Sequence, residues 1–254
     1  MRFSFSSGWF AQIVCGCTLV LTSSDADAQS LAKHLASPAP PALVNSAGQC
    51  SLQEFVELAN EIFYAKFKSK VVIDAKAFEA KYPDFPFWNA QLNLTDIPTG
   101  MHLATVLQAT VDQLPVPATF TVQGDTVKIF PGRATPLKDM SKTSPLTAKL
   151  VGTKIKLEEL DNIVKFKTLI DFIASKSSAP IYIDSVPFRS KEPDAPPIGV
   201  LEIDIKKIKN GNAFQVMQEA INQLKESYPG IRLLIQSDHL RVTRPTVGDV
   251  KSRN

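Results

Sequence analysis

Cysteine is scarce in these 254 residues: Cys15, Cys17 and Cys50 are all there is. The first two lie in an N-terminal apolar run, so the body of the chain has one thiol and no internal disulfide. No closely spaced cysteine pair is available for a structural zinc site. Histidine is equally rare, at His34, His102 and His239, and the three are expected as separate surface residues. The nucleophile elbow GxSxG, the metalloprotease HExxH and the phosphate-cradling GxxxxGK[ST] are all missing. No run reaches the ~18 apolar residues that a membrane span needs. The net charge is only +3, with Lys and Arg dispersed. The densest basic run, Lys206-Lys207-Ile208-Lys209, reads as a solvated turn. Without basic clusters, interleaved aromatics or a GXXG loop, nucleic acid is not an expected partner. No catalytic residue, cofactor or metal is expected.

What is present begins with an export signal. Arg2 gives a short positive start, Trp9 to Leu21 is a brief apolar run, and Ala26-Asp27-Ala28 supplies the small-x-small pattern of signal peptidase. Cleavage is expected after Ala28, which makes residues 1–28 a signal peptide. A short membrane anchor and lipid attachment at Cys17 are the alternatives. After removal no membrane-spanning segment remains, and the product is expected in the periplasm or associated with the cell envelope. Cys50 is then either a free thiol at a helix entrance or half of an intermolecular bridge. Residues 29–50, with Ser37-Pro38-Ala39-Pro40-Pro41, have the composition of an extended linker.

The rest of the chain says nearly the same thing twice. LQEFVELAN, VVID, LATVLQATVDQL and TVKIF are echoed by FKTLIDFIA, IYID, AFQVMQEAINQL and LRVTR. Asp74 and Asp184 stand 110 positions apart, as do Leu114 and Leu224. Six matched positions in the second helices, Leu103 to Leu114 and Ala213 to Leu224, keep the 3.6-residue period. Ser51-Leu52-Gln53-Glu54 predicts a capping box at the first helix. Two-residue breaks at Gly124-Asp125 and Ser237-Asp238 predict closing hairpins. QLNLTDI and Val200 to Ile205 alternate as half-exposed strands should, and LVGTKIKL at 150–157 is strand-like.

Together these predict an α+β fold of two tandem two-layer domains, each helix-strand-strand-helix-strand-strand. The first repeat spans 51–131 and the second 150–245, with a linker at 132–149 and a flexible tail at 246–254. Between the first strand and the alternating strand the copies differ. The first holds Phe78, Tyr82, Phe85, Phe87 and Trp88 among prolines, either a lid on the sheet or an exposed patch for partners. The second, Val186 to Pro197, has charge and proline instead. Asp74 and Asp184 close equivalent strands and read as turn-forming acids, as do Asp96 and Asp204.

These pieces, VVID at 71–74 with IYID at 181–184, the two Leu-rich helices and the closers TVKIF and LRVTR, resemble the STN domain, the short N-terminal domain of secretins and TonB-dependent receptors. The tandem form of planctomycete exported proteins is the most similar variant. The resemblance implies a non-catalytic envelope module that works through protein contacts. Secretins and receptors continue into a long β-barrel region that is not seen here, so an accessory or stand-alone piece is expected. The expected function is binding or assembly with envelope proteins, by strand addition at a sheet edge, with the aromatic run as anchor. The alternative is an enzyme of unrecognised type with a site in the cleft between the repeats.

Overall fold

The computed structural model describes residues 26–45, 48–133, 139–140, 142–189 and 194–245. Its first half runs α1 (Ala26–Leu35), α2 (Pro41–Asn45), β1 (Gln49–Ser51), α3 (Leu52–Phe67), β2 (Lys70–Ile73), α4 (Ala75–Lys81), β3 (Gln91–Asn93), α5 (Leu103–Val111), β4 (Ala118–Gln123) and β5 (Thr126–Pro131). The capping box forms as predicted: Ser51 Oγ accepts from the Glu54 amide, and Glu54 accepts from the Ser51 amide. Strands β2, β5 and β4 make one sheet with β5 central, parallel to β2 and antiparallel to β4. Gly124, at φ +59°, closes the two-residue hairpin without the strain a Cβ would bring there. Strands β1 and β3 pair antiparallel as a separate two-stranded sheet.

The second half runs α6 (Pro145–Gly152), β6 (Lys154–Ile155), β7 (Ile163–Lys165), α7 (Phe166–Ser177), β8 (Ile181–Ile183), α8 (Val186–Arg189), β9 (Glu202–Asp204), β10 (Gly211–Asn212), α9 (Ala213–Leu224), β11 (Arg232–Ile235) and β12 (Leu240–Thr243). Its pairings repeat those of the first half. Central β12 lies parallel to β8 and antiparallel to β11, and β7 pairs antiparallel with β9. A further antiparallel pair, β6 with β10, has a single-bridge counterpart in the first half, where Pro38 pairs with His102, the residue that matches Asn212.

The buried faces of α3 and α7 match position by position. Leu52, Phe55, Val56, Ala59 and Phe63 answer to Phe166, Leu169, Ile170, Ile173 and Ser177, each 114 positions on. The strands that follow are offset by 110, because α3 carries one extra turn of four residues. Both helices end on a left-handed residue, Lys68 (φ 54°) and Ser178 (φ 50°), which turns the chain back into the sheet.

The α+β class is as the sequence predicts. Several details differ. The alternating stretches do not join the main sheets, since β3 and β9 instead pair with the three-residue strands before α3 and α7. Residues 29–50 are not a linker. Leu31, Leu35, Ala39, Leu43 and Val44 are buried in the first core. Prolines space those apolar side chains irregularly, so they carry no period, yet each finds a contact. The stretch 132–149 is likewise partly structured. Met140 N–H donates to Ile235 O, Ser144 caps α6, and Leu146 joins the second core. LVGTKIKL begins as the end of α6, and only Lys154–Ile155 is strand. The expected cleavage point after Ala28 falls within α1, and residues 1–25 and the tail from 246 lie outside the described residues.

Two hydrophobic clusters fill the halves, and Tyr182 of β8 belongs to the first-half cluster. β12 is therefore covered on both faces. Leu240 and Val242 face the second core, and Arg241 and Thr243, also buried, face the other way. Leu35→Ala and Leu43→Ala each empty a fully buried site. Each is expected to cost about 2–5 kcal/mol, a drop in Tm of about 4–20 °C by circular dichroism. Linker residues would leave Tm within about 1 °C.

Candidate functional site

A groove of about 770 Å³ lies between the halves. One wall is the first-half turn around Thr95, Asp96, Pro98 and Thr99. The other is built from α7, β8 and the 195–200 segment, with Ile170, Ile181, Ile183, Phe188 and Ile198 as its apolar surface. A volume of ~300–1,000 Å³ is usual for ligand sites.

The groove exists because the two halves fill the same place differently. In the first half Phe78 and Phe87 stack at 5.2 Å, and Trp88 packs on Phe87 at 5.0 Å. Phe78 and Phe188 are matching positions. The 3-10 turn Phe87–Asn89 matches the 3-10 turn Ile198–Val200, which places Ile198 where Phe87 stands and Gly199 where Trp88 stands. The two large rings have no counterpart. Phe188 instead meets Tyr228 edge-on at 5.4 Å, and Tyr228 Oη donates to Pro196 O at 2.5 Å.

This corrects the aromatic patch expected for partners. Phe78 and Phe87 are core residues, and Tyr82 and Phe85 are half-buried against that core. Trp88, at 37 % exposure, is the one of the five that reaches solvent well. The run is a lid. The informative sequence signal is that the matching stretch of the second repeat keeps one ring, Phe188, and has Ile198 and Gly199 in place of Phe87 and Trp88.

Beside the groove the halves share a buried polar junction. Arg241 donates from Nη2 and Nε to Asp184 Oδ2, at 2.6 and 3.2 Å, and the Thr243 hydroxyl donates to the same oxygen at 3.0 Å. Asp112, just past α5 of the first half, approaches Arg241 Nη2 at 3.6 Å and accepts from Gln108 at 2.7 Å. One cation thus faces two carboxylates. Asp184 holds the closer contacts. Burial, with Asp184 nearby, pushes the Asp112 carboxyl up to about 6 despite the attraction of Arg241. The Arg241 guanidinium also lies 5.6 Å over the Tyr182 ring. Asp184 is therefore more than a turn former, and its Oδ1 is buried without a partner. The matching pair in the first half is Asp74 with Lys128, at 2.7 Å and partly exposed, and Asp74 also caps α4. The hydrogen bond from Lys128 leads in holding the Asp74 carboxyl low.

Two of the histidines expected apart meet at one acid. Asp238 accepts from the His102 amide at 2.5 Å and pairs with His239 Nδ1 at 2.9 Å. His239 is 2 % exposed. Burial pushes its pKa down, so it is neutral, with Nδ1–H toward Asp238 and Nε2 left without a partner. Burial alone would raise Asp238, but the bonds from His239 and His102 outweigh it and hold the carboxyl low. His34 stacks on Phe67. Asp96 accepts from Asn93, and Asp204 caps the 3-10 turn that carries Lys206 and Lys207. Cys50 is buried and unbridged, and burial raises its thiol pKa. Among the described residues no group of three or more His, Cys, Asp or Glu is placed to hold a metal, and no helix is long and apolar enough to cross a membrane.

The junction predicts a pH signature. The Asp112 pKa rises on folding, so its contribution is fully present below its unfolded value of 3.8 and is lost as pH climbs through about 6. The His239 pKa falls on folding, so its contribution is present above 6.5 and is lost as pH drops. Asp112→Asn is expected to raise Tm at pH 7.5 by about 2–6 °C, with the gain vanishing below about pH 5. His239→Asn should flatten the fall of Tm between pH 7 and 5. A pH-independent Asp112→Asn difference would show that this carboxyl titrates normally.

Comparison of the chain with protein-family models, with curated proteins and with solved structures finds no match.

Proposed function

We propose that this chain is an exported, non-catalytic binding protein of the cell envelope, built from two STN-like repeats, and that the groove beside β8 holds its protein partner. The observation that carries this reading is the substitution of Ile198 and Gly199 for Phe87 and Trp88. One copy is packed shut and the other is open, on otherwise matching pairings. The groove wall is apolar, as binding sites are. The ionisable groups at the junction bond to one another: Asp184 to Arg241 and Thr243, Asp238 to His239 and the His102 amide. That arrangement supports holding the halves together over acting on a substrate.

Gly199 is suited to a direct test. A Cβ there meets Lys167 Cβ at 3.4 Å and Ile183 Cδ1 at 3.8 Å, both ordinary contacts. Gly199→Trp is expected to refill the groove, leave Tm within about 3 °C, and reduce recovery of an identified envelope protein at least about tenfold in affinity capture. Equal recovery by both forms would sink the reading. Export is checked by fractionation, with a mature N-terminus at Gln29 expected in the envelope fraction.

A further inference from the structure

The groove has a second property that its apolar wall does not reveal, namely an open strand edge. Leu240 N–H bonds Pro180 O, and Asp184 N–H bonds Val242 O. This phase turns the main-chain groups of Pro180, Tyr182 and Asp184 toward β12 and those of Ile181 and Ile183 away from it. Both isoleucines line the groove. Among the described residues, no side chain or loop bonds the outward amide or carbonyl of either.

The first half shows the same edge closed at its first position. Val71 is the counterpart of Ile181, and both its outward groups are taken by one side chain. Val71 N–H donates to Asn60 Oδ1 at 2.7 Å, and Asn60 Nδ2 donates to Val71 O at 2.9 Å. Asn60 is nine residues past the N-cap of α3. Nine residues past the N-cap of α7 stands Ala174, which cannot reach across and which also lines the groove. The second half thus lacks both devices that seal the first, the amide plug and the two rings.

Resting on the proposed binding function, we infer that β8 accepts an extended peptide as an added strand, hydrogen-bonded to Ile181 and Ile183. An edge of three residues spans about 10 Å, enough for a peptide of three to five residues. Every second side chain would face Ile170, Phe188 and Ile198, so apolar residues are selected at alternate positions. At the mouth Lys167 is bonded to Asp171, whereas Lys165 has no ion pair among the described residues. One acidic group on the peptide complements it.

The test uses the full chain and a panel of fluorescein-labelled pentapeptides. Val, Leu, Ile or Phe occupies the first, third and fifth positions, with Thr or Glu between, and each peptide has a twin N-methylated at alternate amides. cis-Parinaric acid serves as a main-chain-free apolar probe. Members of the panel are expected to bind below about 1 mM. N-methylation on the bonded edge and Ala174→Asn should each weaken binding at least about tenfold, the loss of one or two main-chain bonds. Bound peptide should slow hydrogen exchange at the Ile181 and Ile183 amides. Lys165→Glu should weaken the Glu-containing peptides by about two- to fivefold. If parinaric acid binds in a Gly199→Trp-sensitive way and no peptide does, strand addition is overturned while the groove's binding role stands. If peptides bind without protecting those amides, or bind Ala174→Asn equally well, strand addition is also overturned. If neither probe binds, both proposals fall.

Discussion

The junction at Arg241 is the constraint on which the arrangement of the halves depends. A guanidinium taken out of water needs opposite charge and filled hydrogen bonds, or it becomes a large liability. Asp184 and Thr243 supply these from the same sheet, and Asp112 supplies the closing contact from the other half. Separating the halves would return Asp112 and Tyr182 to solvent together. The first half carries the same acid–base pair on the same strands, Asp74 with Lys128, but nothing covers it so fully. A shared piece of strand-end chemistry is a surface ion pair in one copy and a buried joint in the other.

The joint also positions the groove. Tyr182 points into the first core and its neighbours Ile181 and Ile183 line the opening, so one short strand both docks the halves and forms the groove wall. The turn around Thr95 to Thr99 is brought opposite β8 by the same docking. The buried contacts of Arg241 tie the two walls together, and the strand addition proposed above would require walls at a set spacing.

Much of the architecture was readable from residues. The capping box at Ser51, the apolar spacing of α3, α5, α7 and α9, both hairpins and the 110-residue echo all rest on local periodicity. What escaped reading depends on contacts far apart in the chain. Leu31, Leu35 and Leu43 sit singly among Pro, Ser and Ala, and only the folded core gives them a role. The strands β1 and β7 are too short to show alternation. Aligning the copies on their aspartates gave one offset, which hid the extra turn of α3 and with it the correspondence of Asn60 to Ala174. His239 looked like a surface residue because it stands beside a turn, and its contacts, Asp238 and the Tyr182 ring, come together only in the folded chain. The groove was encoded as missing rings, and a missing side chain becomes visible only when the two halves are compared element by element.

In each half the strand at the middle of the main sheet is the last to be made. β5 joins β2 across Lys70 and Thr126, and β12 joins β8 across Ile181 and Leu240. Neither sheet can assemble by zipping neighbouring strands outward from a hairpin alone. Each must wait for closure of a long loop, whose entropy is lost before the parallel ladder returns anything. A chain still short of Thr126 holds β2 with its inner edge bare. The growing polypeptide therefore passes through a stage in which the strands that flank each sheet are made and the strand that joins them is not.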